Sequence, residues 1–162
     1  MGKHVASSSH DKTWKLWDIE TQELLLTQTG HIAPIYPINF QPDGGVLASG
    51  DLEGIVLIWD LRSGRQILHL KGHLKQILNV QFLPNSYQLA SCSDDNSVKI
   101  WDMRKRGCIH IVPAHIRPVS DAQFSQGEIA NHCSFMVTCG YDGKMKFWGT
   151  YDWNCVRTIN IH

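Results

Sequence analysis

The sequence predicts an all-β protein made of small antiparallel sheets in tandem, and three observations lead to that fold class. Tryptophans recur as Trp17, Trp59, Trp101 and Trp148, with spacings of 42, 42 and 47 residues, and periods of this size are typical of repeat proteins. Each of these tryptophans ends a short apolar or alternating run, as strands do. No helical periodicity of useful length occurs.

The first predicted unit covers residues 1–29. It contains runs typical of strands at His4 to Ser8 and at Thr13 to Trp17. Only Met1-Gly2-Lys3 precedes His4, so we expect this unit to be partial and to lack its first strand.

The second and third units, residues 30–71 and 72–113, each predict four strands, and the third unit shows them best. Its strands are expected at Ile77–Phe82, Gln88–Cys92, Ser97–Trp101 and Cys108–Val112. Turn-forming residues separate the first two strands of each unit, because they supply the backbone angles that a tight turn needs. These turns are Pro42-Asp43-Gly44 and Pro84-Asn85-Ser86.

The fourth unit, residues 114–162, carries five additional residues, which we assign to an inserted loop at 125–134. Its Asp142-Gly143 pair predicts a tight turn between the second and third strands. Strands such as 55–59, with Val56, Leu57 and Ile58, are apolar on both faces, which indicates sheets packed between neighbouring sheets. The chain therefore predicts about three complete four-stranded sheets and one partial sheet.

Polar side chains keep register with the tryptophans. A histidine stands fourteen residues after each tryptophan, a hydroxyl residue ten before it and an acid six before it. The histidines are His31, His73, His115 and His162, the hydroxyl residues are Ser7, Ser49, Ser91 and Thr138, and the acids are Asp11, Glu53, Asp95 and Asp142. Buried indole, hydroxyl and imidazole groups each need a partner, so we expect these residues to stabilise the fold.

The Gly-His pairs at 30–31 and 72–73 and the Trp-Asp pairs at 17–18, 59–60 and 101–102 resemble WD repeats over nearly the whole chain. The resemblance implies a β-propeller, in which histidine, hydroxyl, turn acid and tryptophan form a buried hydrogen-bonded chain. By position it implies three sets: His31, Ser49, Glu53 and Trp59; His73, Ser91, Asp95 and Trp101; and His115, Thr138, Asp142 and Trp148. Glu53 departs from the usual aspartate, and its longer side chain must bend to reach the same partner.

A combination of Ser, His and Asp also occurs in hydrolases. Here the set recurs in every unit without an oxyanion-hole motif, so we expect a structural role, no catalytic residues and no enzyme activity. The segment Asn131-His132-Cys133 with Cys139 matches no zinc spacing, and no glycine cluster forms a phosphate loop. We therefore expect neither metal nor cofactor.

The composition predicts a soluble intracellular protein without a membrane partner. Fifteen basic side chains balance fifteen acidic ones, so no net field favours nucleic acid or membrane. The five cysteines contain no pair separated by two residues, and their odd number is typical of a reducing compartment. No apolar run approaches the roughly 18 residues of a membrane helix, and no signal-peptide pattern begins the chain.

Four segments narrow the resemblance to the WD-repeat subunits of the U4/U6 small nuclear ribonucleoprotein, the Prp-four family of splicing factors. They are residues 16–24, 72–75, 101–106 and the Pro-Ala-His sequence at 113–115. This resemblance implies a nuclear, seven-bladed scaffold that holds other splicing proteins within the U4/U6 and tri-snRNP particles. A different WD-repeat adaptor, such as a ubiquitin-ligase substrate receptor or a histone reader, is the alternative.

Partner binding in such propellers usually involves the loops before the first strand and between the second and third strands. The candidate partner-binding residues there are Tyr36, Lys75, Gln76, Leu78, Asp94, Arg117 and Tyr141. Exposed aromatic and arginine side chains are common binding anchors, so we single out Tyr36 and Tyr141. The basic run Arg104-Lys105-Arg106 is predicted in a turn, where it is either simply solvated or close to RNA phosphate.

The number of units departs from a seven-bladed ring. With about three complete sheets and one partial sheet, we expect an open arc, either a fragment or a natural truncation. Open strand edges favour pairing with other chains. We therefore expect the isolated chain to self-associate or to fold poorly.

Overall fold

The structure is a computed structural model that describes residues 3–84, 87–125 and 134–161, and these residues form fifteen β-strands and no helix. The strands are β1 (His4–Ser8), β2 (Trp14–Asp18), β3 (Leu24–Gln28), β4 (Ile35–Phe40), β5 (Val46–Asp51), β6 (Ile55–Asp60), β7 (Arg65–Lys71), β8 (Ile77–Phe82), β9 (Gln88–Ser93), β10 (Val98–Asp102), β11 (Gly107–Val112), β12 (Val119–Phe124), β13 (Phe135–Gly140), β14 (Lys144–Gly149) and β15 (Cys155–Asn160).

The strands form four antiparallel sheets in which sequence neighbours pair. Sheet 1 has three strands in the order β1-β2-β3, and sheets 2, 3 and 4 have four strands each, β4 to β7, β8 to β11 and β12 to β15. The all-β prediction of three complete sheets and one partial sheet is confirmed. Each sheet also lies within one of the predicted units. Most of the expected inserted loop, residues 126–133 with Asn131, His132 and Cys133, lies outside the described residues, as do Asn85 and Ser86.

A β-bulge precedes the tryptophan of the next-to-last strand in every sheet. The pairing register shifts between Leu16 and Trp17, and at the corresponding positions before Trp59, Trp101 and Trp148. In all four sheets the tryptophan still lies opposite the preceding strand in regular register, as Trp101 does opposite Leu89. Bulges strengthen the local twist and redirect side chains, so the bulge helps to place the indoles of Trp59, Trp101 and Trp148 between two sheets.

The core lies between consecutive sheets. Ala48, Val56, Ile58 and Leu70 of sheet 2 pack against a group of sheet 3 that includes Trp101, and comparable clusters join sheets 1 and 2 and sheets 3 and 4. Side chains on both faces of β6 are therefore buried. This confirms the interpretation of the doubly apolar strands.

The first strands of sheets 2, 3 and 4 lie next to one another along the inner edge of the stack. Asn39 of β4 donates a hydrogen bond from Nδ2 to Oε1 of Gln81 in β8 at 3.2 Å, and Asn79 of β8 donates one to Asp121 of β12. Polar side chains thus link the inner strands, whereas apolar side chains join the sheets farther out. No helix of the described residues has the length and apolar character needed to cross a membrane.

Candidate functional site: polar chains and the loop face

A chain of hydrogen bonds runs through sheet 3. The indole Nε1 of Trp101 donates to Ser91 Oγ at 2.8 Å, Ser91 Oγ lies 2.7 Å from His73 Nε2, and His73 Nδ1 lies 2.8 Å from Asp95 Oδ2. Ser91 is completely buried, and His73 and Trp101 nearly so. The structure therefore brings together all four side chains that the sequence placed in register.

Donor and acceptor chemistry fixes the direction of this chain. An indole N–H can only donate, so the Ser91 hydroxyl accepts from Trp101 and gives its own proton to His73 Nε2. His73 then carries its proton on Nδ1 and donates it to the Asp95 carboxylate. Every polar atom along the chain has a partner, which avoids the cost of about 1–3 kcal/mol for each buried group left unpaired.

The same chain occurs in sheet 4. Trp148 Nε1 donates to Thr138 Oγ1 at 2.9 Å, Thr138 Oγ1 lies 2.9 Å from His115 Nε2, and His115 Nδ1 donates to Asp142 Oδ1 at 2.9 Å. Threonine thus replaces serine without changing the connectivity.

Sheet 2 corrects the predicted set in one residue: the acid is Asp51 and not Glu53. His31 Nδ1 lies 2.8 Å from Asp51 Oδ2, while His31 Nε2 and Trp59 Nε1 both meet Ser49 Oγ. Glu53 is exposed and only donates its backbone N–H to Asp51 Oδ1. Asp51 ends β5 beside the histidine, so its short side chain reaches the imidazole.

The position of Asp51 could have been noticed in the sequence. It stands eight residues before Trp59, where the third and fourth units have Ser93 and Gly140. In sheet 4, a Cβ at Gly140 would come within 2.6 Å of the His115 ring. The end of the second strand is therefore close enough to the histidine for an acidic side chain at that position to contact the imidazole.

Sheet 1 contains only part of the set. Trp17 Nε1 donates to Ser7 Oγ at 3.0 Å, and Asp11 accepts from the backbone N–H and the hydroxyl of Thr13. Ser7 is exposed, in contrast to the buried Ser49 and Ser91. His162, the fourth histidine of the predicted register, lies outside the described residues.

These sets are built for stability. A nucleophilic serine needs a hydroxyl that a substrate can reach, but the hydroxyls of Ser49, Ser91 and Thr138 are fully buried and bonded to an indole and an imidazole. The carboxylates also hold the neighbouring loops, since Leu74 donates its backbone N–H to Asp95 Oδ2 at 3.1 Å.

We expect acid to destabilise the protein in two steps. Burial lowers the pKa of His115 below its usual value of 6.5, so the unfolded chain binds a proton first and stability falls as the pH drops below about 6.5. Burial opposes ionisation of Asp95 and Asp142, but hydrogen bonds, chiefly from His73 and His115, still hold the pKa of each carboxyl below 3.8. Their contribution to stability is therefore lost as the pH falls below about 4.

Chemical denaturation between pH 7.5 and pH 3 measures both steps. In His115→Gln, which cannot take up this proton, the loss between pH 6.5 and pH 5 should shrink relative to the parent protein. Stability that is constant or rises between pH 7 and pH 5 would contradict the account.

The loops at one end of the sheets form a common surface, which we call the loop face. It comprises residues 29–34, 72–76 and 113–118, before the first strands, and 52–54, 94–97 and 141–143, between the second and third strands. These two loop types share one end because the strands alternate in direction. Backbone hydrogen bonds join them, for example from Asp94 to Gln76 and from Tyr141 to Pro118.

The structure places the predicted partner-binding residues on or beside the loop face. Tyr36 and Tyr141 are 64% and 66% exposed, and Arg117 is exposed next to Pro118, which Tyr141 contacts. Lys75 forms an ion pair with Asp94 at 3.7 Å. Gln76 and Leu78 are half-buried, so they offer less surface than the two tyrosines.

Sequence reasoning missed a row of apolar residues on this face. Ile32, Leu74 and Ile116 each follow a buried histidine directly and are 72%, 89% and 79% exposed. The signal in the sequence is an aliphatic residue after the register histidine in three units. Single exposed aliphatic side chains are common on protein surfaces, but here one recurs at the same position in three repeats.

The basic turn lies at the opposite end of the sheets, between β10 and β11. Arg104 is bound, with its guanidinium 3.1 Å from Asp102 Oδ2 and 3.5 Å above the ring of Tyr87. Lys105 and Arg106 are exposed. Arg104 therefore holds the turn in place although 64% of its side chain is exposed, and the other two cations face solvent as well.

Three known proteins are similar to segments of this chain. The WD40 repeat-containing protein HOS15 of Arabidopsis thaliana is 43% identical over 44 residues, 27% of this chain and 7% of that protein. The F-box-like/WD repeat-containing protein TBL1X of Mus musculus is 45% identical over 40 residues, 25% of this chain and 8% of that protein. Protein transport protein SEC13 of Lodderomyces elongisporus is 44% identical over 62 residues, 35% of this chain and 20% of that protein. The matched segments thus span a fifth or less of these relatives.

A family model described as WD domain, G-beta repeat matches the sequence at residues 1–18, 22–60, 64–102 and 106–149. Each of the last three matches begins just before the last strand of one sheet and ends with the third strand of the next. Each of these matches therefore contains one complete hydrogen-bonded set: the loop with the histidine, and the hydroxyl, acid and tryptophan residues that are bonded in series with it. With most of its length matched in this way, the chain belongs to the WD40 repeat family.

Proposed function

We propose that this protein is a non-catalytic scaffold that holds partner proteins on its loop face. WD40 domains generally mediate protein–protein interactions. The observation that carries the proposal is the row formed by Ile32, Leu74 and Ile116, one exposed aliphatic side chain in each of three repeats. Exposed apolar surface of this kind costs free energy in water and is typical of interaction sites.

The chemistry of the loop face indicates the kind of partner. Aliphatic residues supply apolar contact area, and Tyr36 and Tyr141 add aromatic anchors that can also form hydrogen bonds. Arg117 and the Lys75–Asp94 pair supply charges around them. A protein surface or peptide with apolar side chains and a polar rim fits this arrangement.

The particle that we propose for this scaffold is the U4/U6 snRNP, in the nucleus. Support comes from the similarity of residues 16–24, 72–75, 101–106 and 113–115 to the splicing family described above. None of the three relatives named above has a splicing function in its name, so this assignment depends on those segments.

Substituting the exposed side chains should abolish capture without unfolding the protein. In the double variant Leu74→Asp, Ile116→Asp we expect recovery of U4 and U6 RNAs and splicing proteins from nuclear extract to fall about tenfold or more, because buried aliphatic contacts of about 1.5–3 kcal/mol each are lost. Tyr36→Ala with Tyr141→Ala should act in the same direction. The matched control is Tyr151→Ala, a fully exposed tyrosine in the turn between β14 and β15.

Unchanged capture by both double variants, with thermal melts like that of the parent, would remove the loop face as the binding surface. Capture of ubiquitin-ligase subunits or histones in place of U4 and U6 RNAs would instead support the other adaptor function. The similarity to an F-box-like/WD repeat-containing protein favours that function as the second candidate.

Direct contact of the basic turn with RNA phosphate is a separate part of the proposal. All three cations of that turn are exposed, and because the Arg104 guanidinium is paired with Asp102, Lys105 and Arg106 are the two to test. If each cation contacts phosphate, neutralising both should reduce the slope of log affinity for RNA against log salt concentration by about one unit per cation.

A further inference from the structure

A cavity of about 130 Å³ lies beside Ile32, at the margin of the loop face. Ile55 and Leu57 of β6 supply its apolar lining, and the outer strand β7 supplies polar side chains. Every wall belongs to residues 30–71, and β1 contributes none. The packing of sheet 2 therefore creates this cavity, and the number of strands in sheet 1 does not affect it.

A leucine in sheet 2 occupies a position that holds lysine in the other three sheets. The residue two places before the register tryptophan is Leu57 in sheet 2, and the lysines at that position are Lys15, Lys99 and Lys146. In sheet 4 the lysine extends to the loop that carries the histidine, where Lys146 Nζ donates to the Ala114 carbonyl at 2.6 Å. The lysine side chain thus fills the space between the third strand and that loop.

Sheet 3 is filled in the same way. Lys99 is 9% exposed, and a Cβ at Gly72 would lie 3.8 Å from its Cδ and Cε. Gly72 directly precedes a register histidine, as Gly30 does in sheet 2. Leucine is shorter than lysine and ends in methyl groups, so Leu57 leaves the corresponding space of sheet 2 as the cavity.

The charge that this cavity offers to an occupant is positive. Asp51 belongs to the wall, but its carboxylate is already bound, with Oδ2 2.8 Å from His31 Nδ1 and Oδ1 accepting two backbone N–H groups. Lys71 and His69 of β7 also line the cavity, and neither forms an ion pair within the described part of the chain. A carboxylate in the cavity would give the Lys71 ammonium a charge-assisted hydrogen bond.

Size and lining narrow the occupant to a glutamate side chain. An engineered cavity of about 150 Å³ binds benzene, so a cavity of this size admits the roughly five non-hydrogen atoms of a glutamate side chain. The methylene groups of glutamate match the apolar lining of Ile55 and Leu57, and its carboxylate matches Lys71. Binding sites commonly combine a mainly apolar lining with a few polar groups in this way.

We propose that this cavity receives a glutamate side chain of the partner protein, with its methylene groups on Leu57 and its carboxylate on Lys71. The inference rests on the proposed scaffold function, because Ile32 belongs both to the cavity wall and to the loop face. It specifies that the partner carries a glutamate beside the apolar residues that contact Ile32.

The test uses the 162-residue chain and three probes, the N-acetyl α-amides of glutamate, glutamine and lysine. Nuclear magnetic resonance of the isotope-labelled protein measures their binding. We expect the glutamate probe to bind with millimolar affinity and to shift the amide signals of residues 30–32 and 66–71. The glutamine and lysine probes should bind at least about tenfold more weakly, because neither offers a negative charge to Lys71.

Matched variants of the protein locate the site. Leu57→Lys fills the cavity with the residue that the other sheets have at this position, so the variant should fold and bind the glutamate probe at least about tenfold more weakly. Lys71→Gln removes the ammonium group and should weaken binding about tenfold. Lys105→Gln, at an exposed lysine of the basic turn, should not change it. Circular dichroism verifies that all three variants are folded.

Absence of binding by the glutamate probe at millimolar concentration would overturn the proposal, as would equal or stronger binding of the glutamine or lysine probe. Undiminished binding of the glutamate probe by Leu57→Lys would also overturn it, because the probe would then lie outside the cavity.

Capture experiments separate this inference from the scaffold function on which it rests. The double variant Leu74→Asp, Ile116→Asp should bind the glutamate probe as the parent protein does, although it loses partner capture. Leu57→Lys should lose part of the capture. Full capture by folded Leu57→Lys would overturn the assignment of the occupant to the partner protein.

Discussion

Replacing Trp101 by alanine is expected to lower the free energy of unfolding by about 3–5 kcal/mol, the usual cost of truncating a large buried aromatic side chain. Trp101 is 1% exposed and belongs to the cluster that joins sheets 2 and 3. Its loss also removes the donor to Ser91 Oγ. The substitution thus affects packing between sheets and the polar chain together, and chemical denaturation followed by circular dichroism measures the effect.

Tyr151→Ala is the control for this prediction because Tyr151 is fully exposed, and its effect should stay within about 0.5 kcal/mol. A cost below about 1 kcal/mol for Trp101→Ala would mean that the sheets do not depend on the indole.

The second large effect is expected at Asp51. Asp51→Ala leaves His31 without its carboxylate and removes the acceptor of the backbone N–H groups of Glu53 and Ile55. Breaking a buried charged interaction of this kind costs about 3–5 kcal/mol. Glu53→Ala should change stability by no more than about 0.5 kcal/mol, because the Glu53 side chain is exposed.

The two alanine variants form a matched pair, since both residues are acids of the same turn. Comparable losses of stability, or a larger loss for Glu53→Ala, would show that glutamate and not Asp51 completes the set of sheet 2. Denaturation midpoints at pH 7 are sufficient for the comparison.

The strands were predictable because alternation, turn residues and the tryptophan period all indicated the same units. The structure reproduces the predicted bounds of β1 and β8, and the other strands whose bounds were predicted differ by one residue at one or both ends. The acid of sheet 2 was not predictable by counting alone. Counting six residues back from the tryptophan finds Asp95 and Asp142 in sheets 3 and 4, but it finds Glu53 in sheet 2. There the carboxylate that reaches the imidazole belongs to Asp51, at the end of β5.

The three aliphatic residues of the loop face are evident in the sequence, but their exposure to solvent is not. Ile32, Leu74 and Ile116 are aliphatic, and aliphatic residues are assigned to the core by default. Each of them directly follows a buried histidine in the loop before a first strand and faces solvent. Leu74 is held in that orientation by its backbone hydrogen bond to Asp95.

The missing strand of sheet 1 was also predictable, and sheet 1 has three strands where each of the other sheets has four.

The central claim is that the buried sets of histidine, hydroxyl, acid and tryptophan stabilise the sheets, while the loop face binds partners. Partner capture by Asp51→Ala, measured at a temperature where circular dichroism shows the variant fully folded, tests it most directly. The account predicts capture equal to that of the parent protein despite a lowered melting temperature. Loss of capture by the folded variant would contradict it, because the buried carboxylate would then act in binding itself.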